Sequence, residues 1–228
     1  MNYNKTIINL VCISIIIALN TNVMCQEDTA ENIPDQNGYT KENQLIDPKI
    51  KEELSQECIA LVIKGDETSE FGEKINIYSE ALEISPNSSS LYIKRGIANA
   101  KNGNIEKAIE DFNSACIISP NDPLPITNRA FAKILQGKLA EAIRDYDSAI
   151  KLNANEPYFY NSRAYAYYLN KDFESAISDY SKAIELAPNV PLFYFNLGKL
   201  LKELGKDTEA EKNINKYIEL ANNQNGTL

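Results

Sequence analysis

The sequence predicts an all-α fold in which about five helical hairpins stack side by side. Its central part repeats with a period of 34 residues, and each copy holds two stretches with the apolar spacing of an amphipathic helix. Glycine separates the two stretches in two of the copies, and proline stands at several junctions between copies. One hairpin cannot bury its apolar faces alone, so neighbouring copies are expected to share a continuous core.

Three consecutive segments, 89–122, 123–156 and 157–190, align without gaps. Small residues recur at three offsets of this alignment, and an aromatic residue recurs at a fourth. Small side chains let two helices approach closely, and the ring fills the space beside them. The recurring residues are Gly96, Ala130 and Ala164; Ala108, Ala142 and Ala176; Ala115, Ala149 and Ala183; and Phe112, Tyr146 and Tyr180.

This pattern resembles the tetratricopeptide repeat. That family has small residues at positions 8, 20 and 27 of each copy, an aromatic residue at 24 and proline at 32. Pro120 and Pro188 occupy the last position in two of the three segments, and Ala154 replaces proline in the other. The resemblance implies a right-handed α-solenoid of about five hairpins.

Two further copies flank the three regular ones. Residues 191–222 fit well at first, but Ile214 stands at the aromatic position and Tyr217 at a small one. Residues 49–88 form a degenerate first copy, in which Gly65 comes before the expected turn. The repeat domain is therefore predicted over 49–222, with copies at approximately 55–88, 89–122, 123–156, 157–190 and 191–222.

Residues 1–25 are expected to be a signal peptide or a signal anchor. Lys5 precedes a mostly apolar run from Ile7 to Leu19, which is shorter than the roughly 20 residues needed to span a bilayer. Cleavage after Cys25 would place the chain in the periplasm, outside the cell or in the secretory lumen. Alternatively, Cys25 would be the lipidated first residue of a bacterial lipoprotein, and the protein would be anchored to a membrane.

Polar segments are predicted on both sides of the repeat domain. Residues 26–48 are rich in acids and lack an apolar period, which indicates a disordered acidic linker. Residues 223–228 are expected to be a polar tail. Cys58 and Cys116 remain beyond the leader; they would behave as small packing residues, although an oxidising compartment would let them pair.

Composition excludes several classes of function. The chain has a formal net charge of −9 and contains no histidine. Nucleic acids and anionic lipid surfaces attract basic proteins, so neither is an expected partner. The lack of histidine removes Ser-His and Cys-His nucleophile pairs and histidine metal sites. Without a glycine-rich phosphate loop or metal-spaced ligands, we expect no catalysis, no metal and no other cofactor.

A paired set of charges recurs in the three regular copies. An arginine occupies position 7 and an aspartate position 23, whereas the first copy has Leu61 and Ile77 there, and the last has Leu197 and Asn213. Because both charges are present or absent together, we expect them to touch as structural ion pairs rather than to form a charged ligand site. The residues are Arg95, Arg129 and Arg163 with Asp111, Asp145 and Asp179.

The resemblance also implies a binding surface. In the family, positions 2, 5, 9, 12 and 13 of each first helix face the ligand on the concave side. Here these positions are aromatic or apolar over the C-terminal half. We expect about half of the rings only to pack between copies, and the others to line a groove for a peptide or helix with apolar anchors. The predicted groove residues are Phe131, Ile134, Tyr158, Asn161, Tyr165, Tyr168, Leu192, Phe195 and Lys199.

The sequence thus favours a non-catalytic scaffold that binds a partner protein or peptide. Two alternatives stay open. One is a lipid-anchored factor of envelope assembly, attached through Cys25, and the other is an enzyme.

Overall fold

The computed structural model describes residues 55–225, with side chains up to residue 223. The predicted leader, the acidic linker and the end of the polar tail lie outside these residues. Residues 55–225 form ten helices and no strand, which confirms the all-α fold. The helices are α1 (Gln56–Glu67), α2 (Phe71–Ile84), α3 (Ser89–Lys101), α4 (Ile105–Ile118), α5 (Pro123–Leu135), α6 (Leu139–Leu152), α7 (Pro157–Leu169), α8 (Phe173–Leu186), α9 (Pro191–Glu203) and α10 (Asp207–Asn225).

Consecutive helices pack in pairs, and each pair packs on the next, as expected for a solenoid of stacked hairpins. The first helices of neighbouring hairpins also contact each other directly, α3 with α5 and α5 with α7, whereas the second helices make no comparable contact. The stack is therefore tighter on the side of the first helices. We call the surface formed by α3, α5, α7 and α9 the inner wall.

Turns between the helices of a hairpin require a left-handed residue. Gly103, Gly137 and Gly205 fill this place with φ of 83°, 76° and 73°, and the fourth hairpin uses Lys171 with φ of 62°. A glycine takes this conformation without a steric penalty, whereas a side chain brings Cβ too close to the backbone. Lys171 is therefore a strained copy of a glycine turn.

Close approach of the two helices explains the small residues. A Cβ added at Gly96 would lie 2.6 Å from Cε1 of Phe112, so only glycine fits against that ring. In the first hairpin the family's small position holds Val62, and the ring of Tyr78 lies instead over Gly65. Gly65 lies inside α1 and is not a turn residue. It is the small residue that accommodates the Tyr78 ring, three residues later than in the other hairpins.

The last hairpin departs from the others on the face that points away from the stack. In the fourth hairpin the rings of Tyr168 and Phe173 are in contact, with centroids 6.2 Å apart. The residues 34 positions later are Lys202 and Asp207, which form an ion pair at 2.6 Å. A contact between two rings is thus replaced by a solvent-exposed ion pair on the face that no further hairpin covers among residues 55–225.

The cysteines and the lengths of the helices complete the description of residues 55–225. Cys58 is buried, Cys116 is half-buried, and both are free thiols in the structure. None of the helices within residues 55–225 has the length and apolar character needed to cross a bilayer.

Candidate functional site

Three arginines of the repeat lie at equivalent places in three consecutive hairpins. Each guanidinium donates through Nε and Nη2 to the aspartate 16 residues later, on the second helix of the same hairpin, at 2.6 to 3.1 Å. Such two-bond contacts between planar groups hold a fixed geometry. We call this set the arginine ladder. Its pairs are Arg95 with Asp111, Arg129 with Asp145, and Arg163 with Asp179.

The remaining nitrogen of each guanidinium, Nη1, reaches the preceding hairpin. It donates to the residue 16 positions before the arginine: Ser79 Oγ at 3.2 Å, Asn113 Oδ1 at 2.9 Å and Asp147 Oδ1 at 2.6 Å. One arginine therefore joins three helices from two hairpins. Sequence reasoning missed this second partner, although the equal spacing of 16 residues on both sides of each arginine carried the signal.

The carboxylates of the ladder are buried, with 4% of Asp111 and 7% of Asp179 exposed. Hydrogen bonds that the guanidinium groups donate to the aspartates raise the pKa of Arg163 and of Arg129 further above their usual range. Arg129 and Arg163 therefore lose their protons even less readily than a free arginine does. Because each carboxylate is buried and each guanidinium already has two partners, the geometry favours a structural role over a charged-ligand site.

The nine residues predicted for the groove divide by burial. Ile134, Asn161 and Tyr165 are 7%, 4% and 6% exposed and belong to the packed interior. Only Phe195 is classed as exposed, at 40%. Leu124, on the same wall, is 43% exposed. The half-buried residues are Phe131, Tyr158, Tyr168, Leu192 and Lys199.

Several of these side chains hold one hairpin against the next. The rings of Tyr158 and Phe193 pack in a T-shaped arrangement with centroids 5.2 Å apart, and Asn161 Oδ1 accepts a hydrogen bond from Asn196 at 2.8 Å. The Tyr168 hydroxyl donates to the Glu203 carboxylate, with contacts at 2.8 and 3.1 Å. These positions lie on the seam between copies as well as on the inner wall.

The part of the wall that is open for a ligand is centred on α5. Leu124 and Phe131 are two helical turns apart and share one face of that helix. Leu192 holds the place equivalent to Leu124 on α9, two hairpins further on, and is half-buried. These side chains offer an apolar surface and no chemistry, and within residues 55–225 no three Asp, Glu, Cys or His side chains lie close enough to hold a metal ion.

Comparisons with known proteins agree with this geometry. Models described as tetratricopeptide repeat match residues 89–122, 157–190 and 180–212, and a model described as TPR repeat matches residues 132–171. A search of curated proteins found no match.

Solved structures with a similar fold include MamA, with 22% identity, a TM-score of 0.65, and coverage of 75% of this chain and 98% of that one. PilF of Pseudomonas aeruginosa has 16% identity and a TM-score of 0.61, covering 72% of this chain and 73% of its own. YrrB, described as a TPR protein with an unusual peptide-binding site, has 15% identity and a TM-score of 0.57, covering 75% and 89%.

Proposed function

Because this chain belongs to the tetratricopeptide-repeat family, we propose that it is a non-catalytic scaffold whose inner wall binds an extended or helical segment of a partner protein. The observation that carries the proposal is the open apolar strip on α5, where Leu124 is 43% exposed beside the half-buried Phe131. Removing apolar surface from water is favourable by about 25 cal/mol per Å², so covering this strip favours binding of a partner.

The form of the wall supports a peptide-like ligand. First helices that contact one another directly present their exposed residues as a continuous surface, and apolar anchors spaced along it suit a segment rather than a small molecule. The peptide-binding site described for YrrB shows that a protein of similar fold uses this kind of ligand.

The predicted leader, residues 1–25, is the basis for a proposal about where the protein acts. We propose that the protein acts in an exported compartment, and that it is held at a membrane if Cys25 is lipidated. Mass spectrometry of the mature N-terminus separates the two forms: an acylated Cys25 supports the anchored factor, and an N-terminus at Gln26 supports the free scaffold.

The groove is tested by capture of a partner from the native cell extract. Tyr165 is a poor probe, because at 6% exposure its removal would damage the core. We expect Leu124→Asp with Phe131→Ala to abolish capture while the circular dichroism spectrum stays unchanged. Leu152→Asp is the matched control, since Leu152 is also 43% exposed but lies on α6. Equal capture by the double variant and the wild type would overturn the groove.

A further inference from the structure

The last hairpin carries an apolar patch on the face that would meet a further copy. Phe195 is 40% exposed and packs on Tyr217 with ring centroids 5.2 Å apart, and Ile218 is 46% exposed. In the fourth hairpin, Asn161 and Ile184 hold the places 34 residues earlier than Phe195 and Ile218. Both are covered by α9, one through a hydrogen bond and the other by packing against its buried leucines.

Charge on the same face differs in sign between the two helices, although Lys202 is already paired with Asp207 of its own chain at 2.6 Å. Lys199 and Lys202 lie on α9, and Asp207 and Glu211 lie on α10. The residues 34 positions earlier are tyrosines on α7, and Phe173 and Ile177 on α8, which pack against the next hairpin. The end face therefore has an apolar patch where the start of α9 lies beside the later part of α10. Toward the turn between them, α9 carries basic residues and α10 carries acidic residues.

Two contacts set which residues of α9 and α10 lie side by side. Phe195 meets Tyr217, and a Cβ added at Gly198 would lie 2.8 Å from Ile214 Cδ1. Continuing this antiparallel alignment by one more turn places Lys202 at the level of Ala210, one residue from Glu211.

We propose that this end face pairs with the same face of a second copy of the chain. A two-fold axis parallel to the helices sets α9 of one copy over α10 of the other, because it exchanges their sides and preserves their levels. The apolar patches then meet each other, and each Lys202 faces the partner's acidic helix. The end face consists of Phe195, Lys199, Lys202, Asp207, Glu211 and Ile218.

Self-complementarity is what selects a second copy as the occupant. A patch with one sign of charge would call for a partner of opposite sign, whereas this face carries basic residues on α9 and acidic residues on α10 beside one apolar patch. Stacking of the end face onto the first hairpin of another copy is less favourable, since the exposed residues of α1 are mostly polar: Gln56, Glu57, Ala60, Lys64 and Glu67.

Sedimentation equilibrium of the purified chain tests the pairing. We expect a monomer–dimer equilibrium in the wild type and a dissociation constant at least ten times weaker in Ile218→Glu. Ile117→Glu is the control, because Ile117 is 81% exposed but lies on α4, and its dimer should be unchanged. A wild type that stays monomeric at its highest soluble concentration, or a dimer that persists in Ile218→Glu, overturns the proposal.

Charge exchange tests the orientation. Lys202→Glu and Glu211→Lys should each weaken the dimer, and the two together on one chain should restore it, because the two-fold axis brings the exchanged charges back into opposition. Failure of the double variant to recover would contradict this arrangement. The Leu124→Asp/Phe131→Ala variant should still dimerise, which separates this surface from the partner groove.

Discussion

At the scale of single residues, the arginine ladder shows how one side chain can join two hairpins. Arg163 bonds Asp179 of its own hairpin at 2.7 and 2.8 Å and Asp147 of the preceding one at 2.6 Å. The last hairpin solves the same packing problem with Leu197 and Asn213. An arginine and an aspartate are therefore not required at these two repeat positions. Where one of the two charges is present, the other is needed to pair with it.

Arg163→Leu should be destabilising because it leaves the buried Asp179 carboxylate without its partner. We expect a loss of about 3–5 kcal/mol in the free energy of unfolding. Adding Asp179→Asn reproduces the pair found in the last hairpin and should recover most of that loss. Urea denaturation measures both variants. A double variant as unstable as the single one would show that the loss comes from packing and not from the unpaired charge.

Lys171→Gly should stabilise the protein, because Lys171 has φ of 62° where three other hairpins use glycine. The gain is expected to be about 1 kcal/mol, after the greater chain entropy of glycine is subtracted from the strain relieved. Thermal unfolding detects it as a higher Tm. Lys171→Ala keeps the strain and should show no rise; a rise of equal size in Lys171→Ala would contradict the backbone explanation.

At the scale of helices, the distance between the two members of a hairpin is set by a small residue against a ring. Gly96→Ala should destabilise by about 1–3 kcal/mol, since the new methyl would overlap the Phe112 ring. Gly72→Ala is the control: no atom lies within 4 Å of its added Cβ, and alanine favours a helix by about 0.5–1 kcal/mol. In urea denaturation, Gly96→Ala should lower the free energy of unfolding and Gly72→Ala should raise it.

Helix positions could be predicted because the apolar period and the turn residues are local signals. The groove was less accessible to sequence reasoning, because the positions that face a ligand also face the next hairpin. Asn161 and Tyr165 lie on that seam and are buried, whereas Phe195 is exposed because no hairpin within residues 55–225 covers it. Whether a residue at such a position is buried depends on the side chains of the next hairpin. The sequence of one repeat alone therefore does not determine its exposure.

For the molecule as a whole, buried tyrosines make the stack sensitive to alkali. Burial and the hydrogen bond to Glu203 raise the pKa of Tyr168 to about 12, and burial also raises the pKa of Tyr146 and Tyr180. The folded state holds these protons more tightly than the unfolded one. Their contribution is therefore complete below the unfolded pKa of about 10 and is lost as pH rises through the folded value.

Urea unfolding measured from pH 9 to pH 12 should show a falling free energy of unfolding. Tyr168→Phe should fall less steeply over the same interval, because it removes one of the protons that the folded state retains. Tyr92, which is half-buried on α3, provides the matched control as Tyr92→Phe. A slope in Tyr168→Phe equal to that of the wild type would contradict the assignment.

The ion pair between Lys202 and Asp207 limits how this gene could have lengthened by duplication. An extra copy inserted between the third and fourth hairpins would find matching neighbours on both sides. One packed directly on the end face would have to desolvate Lys202, Asp207 and Glu211 against an apolar helix, so insertion inside the stack is less costly than addition at this face.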